Sequence, residues 1–126
     1  MKEPKWISKP VVLAIHDELL AEFGGTPGLR DEALLDSALA RPHNLYSYGS
    51  SNLFRLAGCY ISGIVRTHPF MDGNKRTGLV IGGIFLERNG KSLEVSEVEA
   101  TAVIMMLASG KMSDEKISNW LKNNST

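Results

Sequence analysis

The stretch LFRLAGCYISGIVRTHPFMDGNKRTGLVIGGIFL, residues 53–86, decides how this chain folds. Its first part, Leu53 to Thr67, is apolar almost all round the helical wheel, with Leu53, Phe54, Leu56, Ala57, Tyr60, Ile61, Ile64 and Val65, so it predicts a buried central helix. Gly58 and Gly63 weaken such a helix locally and imply close approach of neighbours there. A polar loop, His68 to Gly78, interrupts the apolar pattern. From about Asn74 to Arg88 the helical period returns, with Val80, Ile81, Ile84 and Phe85 inward and Gly82-Gly83 permitting a second close approach.

The loop between these helices is where the chemistry gathers. Pro69 pushes His68 out of the helical region and predicts an extended loop residue. Gly73 and Asn74 are residue types that tolerate positive φ, so the backbone can curl and present successive N–H groups at the start of the next helix. Such a row of amides attracts anions. Lys75 and Arg76, in the first turn, oppose the helix dipole by a few tenths to about 1 kcal/mol each, a conflict that a bound polyphosphate removes. Asp72 is a hard oxygen ligand of the kind Mg²⁺ takes when it also holds phosphate oxygens. His68 can accept a proton from a hydroxyl near neutral pH. Arg66, just before the loop, either steers phosphate or pairs with a carboxylate. Taken singly, a histidine before proline, an Asp-Gly turn and two surface cations are ordinary; their compression into one loop-to-helix junction points to a site.

His68-Pro69-Phe70-x-Asp72-Gly73-Asn74 with Arg76 resembles the signature loop of the Fic/Doc superfamily, H-P-F-x-[D/E]-G-N-G-R-x-x-R. Lys75 stands where most Fic proteins have the second glycine, and Leu79 where they have the final arginine. Both departures resemble the Doc branch, the "death on curing" toxins of toxin–antitoxin pairs. Upstream, Phe23-Gly24-Gly25-Thr26-Pro27-Gly28-Leu29-Arg30-Asp31, followed by Leu34 to Pro42, is similar to the N-terminal half of the same branch, so the resemblance spans most of the chain.

The remaining segments read as scaffold. At 126 residues the chain is expected to be one domain, residues 1–126. Fourteen basic and fourteen acidic side chains cancel, which argues against broad affinity for nucleic acid or membrane; any basic site is local. The one cysteine, Cys59, reads as a small buried hydrophobe and suits a reducing cytoplasm. Met1 to Pro10 has no apolar core of a signal peptide, and Leu79 to Leu86 is far shorter than the roughly 20 residues that span a bilayer, so a soluble cytoplasmic protein is expected.

Trp6 and Ile7 are anchors in a polar lead-in, Met1 to Lys9. A first helix opens at Pro10 behind Ser8 or Lys9, carries Val11, Val12, Ile15, Leu19, Leu20 and Phe23, and ends at Gly24-Gly25. His16 within it reads as a structural or surface histidine rather than part of the site. Asp31 caps a second helix with Ala33, Leu34, Leu35, Ala38 and Leu39 on one face, stopped by Pro42. His43 to Asn52, rich in Ser, Tyr, Gly and Asn, reads as a surface flap in which Tyr46 and Tyr48 either pack or line a partner groove. Ser92 to Val95 is a short extended piece. Ser96-Glu97-Val98-Glu99 is a capping box for a fifth helix ending at Gly110. Met105, Met106 and Met112 read as gap-filling core or edge residues rather than a cofactor box, and soft methionines also suit a groove that accepts a partner helix. Ser113-Asp114-Glu115 opens a last helix anchored by Ile117, Trp120 and Leu121, with Asn123 to Thr126 fraying. The sum is an all-α bundle of about six helices with the active loop between two central ones, which is also what the resemblance implies.

For function, the resemblance implies that His68 is the general base on a target hydroxyl and that Asp72 holds Mg²⁺. It implies that Gly73, Asn74 and Arg76 cradle the phosphates of ATP. Lys75, in place of glycine, puts a cation where charge on a transferring phosphoryl group can be stabilised. The Doc branch implies transfer of the γ-phosphate to a threonine of elongation factor Tu, which halts translation. Alternatives are transfer of AMP to a protein hydroxyl, and a non-enzymatic module that blocks a translation factor or binds an antitoxin. No glutamate in the chain is followed by Gly or Asn, so the inhibitory [S/T]-x-x-x-E-[G/N] helix of many Fic proteins is missing. The expected restraint is a separate antitoxin, a disordered segment folding as a helix into a surface groove.

Overall fold

The computed structural model describes residues 3–126; Met1 and Lys2, the start of the polar lead-in, lie outside it. Among the described residues there are six helices: α1 Lys9–Phe23, α2 Glu32–Ser47, α3 Leu53–Thr67, α4 Asn74–Arg88, α5 Glu97–Ala108 and α6 Asp114–Asn123. None is long and apolar enough to cross a membrane. Among the described residues the only extended pairing is two isolated bridges, Leu29 with Phe70 and Leu93 with Ser125. The all-α expectation therefore holds.

The fold is built around α3. Every residue from Leu56 to Val65 is buried, and the helix packs against α2, α4, α5 and α6. Leu56, Ile61 and Ile64 are fully enclosed, each side chain contributing about 1.5–3 kcal/mol of burial. Close approach of α3 to α4 requires Gly82, where a Cβ would overlap the Ile61 side chain; Gly83, by contrast, faces open space and permits nothing. Gly63 lets α2 in, with Ala38 Cβ 3.2 Å from where its own Cβ would stand. α1 docks mainly on α4. Ahead of it Ile7 is buried and donates its N–H to Tyr60 Oη at 3.1 Å.

Three expectations are corrected. Pro42 does not stop α2, which continues to Ser47 with Pro42 buried inside it. A proline inside a helix costs about 3 kcal/mol, and tertiary contacts offset that here. Trp6 stacks on His43 at 4.0 Å between ring centroids and meets Tyr46 edge-on at 5.6 Å, and Leu45 joins the core. Consequently His43 to Asn52 is not a flap: its first half is helix, Tyr46 is a packing residue, and Tyr48 is exposed and lines a different pocket from the residues of the His68–Gly78 loop. The chain end does not fray after Asn123. Ser92 and Thr126 exchange backbone hydrogen bonds at 3.1 and 2.9 Å, and Glu94 N–H donates to Asn124 O at 2.7 Å, so the extended piece holds the last residues.

Arg66 resolves to the carboxylate partner. Its Nη1 donates to Asp114 Oδ1 at 2.7 Å and its Nη2 to Met112 O at 2.7 Å, which ties α3 to the start of α6. The capping box is half formed, with Ser96 Oγ accepting from Glu99 N–H at 3.1 Å.

Candidate active site

The junction between α3 and α4 is held in shape by residues distant in sequence. His68 closes α3 with its N–H on Ile64 O at 3.2 Å and adopts φ 54°, ψ 58°. It is the one non-glycine residue with positive φ among the described residues, so the extended conformation expected for it is wrong. Pro69 excludes the right-handed region, but hydrogen bonding selects the left-handed one. Arg30 Nε donates to His68 O at 2.6 Å, Arg30 Nη2 to Thr67 O at 2.7 Å, and Arg30 N–H to Pro69 O at 2.7 Å. A left-handed side-chain-bearing residue costs about 1–2 kcal/mol. Hydrogen bonds from a charged donor contribute about 1.5–3 kcal/mol each, less where solvent competes, so the fork outweighs the strain. The His68 ring is exposed and has no hydrogen-bond partner among the described residues.

The middle of the loop is anchored from α1. Phe70 is 1% exposed and stacks on His16, ring centroids 3.7 Å apart and planes 11° from parallel. His16 Nε2 lies 2.8 Å from Asp72 O, so that nitrogen carries the proton and donates. Asn74 completes the turn: its Oδ1 accepts from Phe70 N–H and its Nδ2 donates to Phe70 O, both at 3.0 Å. Its side chain is thus committed to the loop, leaving its backbone N–H for a ligand. Asn74 is helical, and only Gly73 of the pair uses positive φ, at 78°.

Asp72 is exposed, with Oδ1 accepting from Gly73 N–H at 2.9 Å and Oδ2 from Thr26 N–H at 3.2 Å. Among the described residues no three His, Cys, Asp or Glu side chains gather to cage a metal ion. The donor set nevertheless fits Mg²⁺ shared between one pinned carboxylate, which keeps free lone pairs, and phosphate oxygens.

The start of α4 is bare. Gly73 offers no side-chain cap, Thr77 N–H returns to Gly73 O at 3.0 Å, and the N–H groups of Asn74, Lys75 and Arg76 have no protein acceptor among the described residues. Neither Lys75 nor Arg76 has a carboxylate within 4.0 Å among them. The Arg76 guanidinium lies 3.8 Å over the Phe23 ring, which holds it beside the helix start. His68, Asp72, Gly73, Asn74, Lys75 and Arg76 all line one pocket of about 790 Å³. Its other walls come from Leu19 and Phe23 of α1 and from α5, with Thr101, Ile104 and Met105.

A family model described as Fic/DOC matches residues 6–86, which contain the whole of this loop, all of α3 and all but the last two residues of α4. The chain belongs to the Fic/DOC family. Over 117 residues, 92% of this chain and 92% of the relative, it is 30% identical to the "Protein kinase doc" of Escherichia phage P1. It is also 40% identical over 74 residues, 56% of each chain, to the "Toxin Doc" of Mycolicibacterium smegmatis (strain ATCC 700084 / mc(2)155).

The Fic/DOC pattern named the residues at the pocket but not those that hold them. His16 was read as a structural or surface histidine rather than part of the site; it is structural, buried beneath the loop. The available signal was its spacing from Val12, since the two form the buried face of α1. Thr26 and Arg30 lay within the upstream stretch similar to the Doc branch, but nothing in that stretch said that Thr26 N–H binds Asp72 or that Arg30 binds the carbonyls of residues 67–69. Nor did the sequence show that α5 forms the facing wall, or that 28–31 runs antiparallel along the loop, with Met71 N–H on Gly28 O at 3.0 Å and Asp31 N–H on Pro69 O at 3.0 Å.

Proposed function

We propose that this Fic/DOC domain, residues 1–126, is the toxin of a toxin–antitoxin pair and an ATP-dependent protein kinase. It transfers the γ-phosphate to a threonine hydroxyl of elongation factor Tu. The observation that carries the reading is the pocket itself: an exposed imidazole without a partner, a bare helix N-terminus and two uncompensated cations share it. The relative named a protein kinase supports the reaction class.

Phosphoryl transfer asks a protein for positioning and charge stabilisation. The free N–H groups of Asn74, Lys75 and Arg76 bind phosphate oxygens along the α4 dipole. The Lys75 ammonium offsets charge gathering on the equatorial oxygens, and Arg76 braces a neighbouring phosphate from its seat on Phe23. Asp72 would hold Mg²⁺, which would supply charge neutralisation to the phosphates. His68 takes the proton of the incoming hydroxyl as the oxygen–phosphorus bond forms and the nucleoside diphosphate leaves. With no inhibitory glutamate motif in the chain, a separate antitoxin restrains the enzyme in the cytoplasm.

The test is the intact mass of elongation factor Tu after incubation with the protein, Mg²⁺ and ATP, with His68→Ala in parallel. A gain of about 80 Da, one phosphoryl group, lost with His68→Ala, is the expected result. A gain of the mass of one AMP means the nucleotide lies in the opposite sense. No gain, together with toxicity that survives His68→Ala, replaces the kinase by a binding module.

A further inference from the structure

We propose that Arg30 is a positioning residue for His68, and that it fixes the left-handed turn which presents the imidazole to the pocket. The proposal rests on the reading of His68 as the base. One residue accounts for three consecutive carbonyls: the side chain binds Thr67 O and His68 O, and the backbone N–H binds Pro69 O. Those first two oxygens lie at the end of α3, where helical carbonyls have no partner of their own and where a cation is favoured. The fork of a guanidinium suits two adjacent acceptors; a point-charge ammonium cannot span them with fixed geometry.

Arg30 is not itself a pocket residue. It is absent from the pocket walls, and its guanidinium nitrogens Nε and Nη2 are spent on carbonyls rather than aimed at ligand. Its own place is rigid, because the next residue, Asp31, caps α2 through Leu34 N–H at 3.1 Å and donates its N–H to Pro69 O. The start of α2 therefore acts as a fixed post from which Arg30 reaches the end of α3. Without the fork nothing else among the described residues binds His68 O or Thr67 O from outside the helix. His68 then keeps only backbone bonds, its own N–H on Ile64 O and those made to Pro69 O, against a conformation that L-residues avoid, and relaxes to the extended region that Pro69 favours. The ring swings with the backbone, since a change of φ by more than a quarter turn redirects the Cα–Cβ bond.

The test compares Arg30→Ala and Arg30→Lys with the parent in two ways. Cα and Cβ chemical shifts of His68 report its backbone region without any need for activity; both variants are expected to lose the left-handed signature. Steady-state phosphoryl transfer from Mg²⁺-ATP is expected to show kcat lower by about 100-fold, the loss typical of a misplaced group, with KM for ATP within about twofold. In a His68→Ala background, Arg30→Ala is expected to cause no further loss, because the two act through one group. Retention of positive φ at His68 in Arg30→Ala, full recovery by Arg30→Lys, or an additive loss in the double variant would each overturn the proposal. If His68→Ala transfers phosphate at the parental rate, the base assignment is at fault, and the His68 shifts still decide whether Arg30 sets the turn.

Discussion

Asn74→Ala separates two uses of one side chain. The family pattern puts this asparagine at the phosphates, whereas the geometry spends both of its amide atoms on Phe70, through Oδ1 to the N–H and Nδ2 to the carbonyl, each at 3.0 Å. Phe70 is 1% exposed, so water cannot readily replace either bond. An orphaned buried polar group costs about 1–3 kcal/mol, and two of them cost about 2–6 kcal/mol. Better helix propensity at the first position of α4 returns at most a few tenths to about 0.7 kcal/mol. Against a total stability of about 5–15 kcal/mol the loss is large. The assay is urea unfolding followed by helical circular dichroism, with the shift in midpoint read at constant m-value. The expected variant is destabilised by several kcal/mol, and its affinity for Mg²⁺-ATP falls because the turn beneath the α4 N-terminus loosens. A variant within about 0.5 kcal/mol of the parent, the range of an ordinary surface change, that nevertheless loses nucleotide binding would refute the reasoning. It would place the side chain on the ligand instead.

His16→Phe keeps a ring to stack on Phe70 but removes the donor to Asp72 O; an expected loss of about 1 kcal/mol in the same unfolding assay, with weaker Mg²⁺-ATP binding, assigns the hydrogen bond its share. Equal stability to the parent would leave the stack as the whole of the contact. Burial pushes the Cys59 thiol and the Tyr60 hydroxyl above their ordinary ranges. The unfolded thiol therefore ionises near its usual value of about 8.5 while the native one stays protonated. Stability is fully present below that pH and falls as pH rises through it, since the native state then binds more protons. Unfolding measured from pH 7 upward is expected to show this slope, reduced in Cys59→Ala; an unchanged slope would discard the thiol as its source.

The two central helices were legible from residues 53–86 because an all-round apolar run and a 3.6-residue period constrain the backbone locally, and their observed bounds coincide with those expected. The loop residues that line the pocket were legible for a different reason: chemistry needs particular side chains at particular spacings, and that pattern was the expectation for the loop. Where the reading failed, non-local contacts outweighed local preference. Trp6 carried α2 through Pro42, and Arg30 placed His68 in a region that its own residue type and its proline both disfavour. The pairing of Ser92 with Thr126 likewise held an end that local sequence leaves loose.

By itself, then, the sequence determined an all-α chain, the order of its helices, membership of its family and the loop side chains that line the pocket, since each of these is written in residue type and period. Only the tertiary structure decided how that pocket is held: His16 under the loop, Asn74 clasping Phe70, Arg30 gripping three carbonyls and α5 closing the far wall. Apart from the Asn74–Phe70 clasp, which spans four positions, those contacts join residues tens of positions apart, and several run through backbone atoms that every residue shares, so no pattern along the chain announced them.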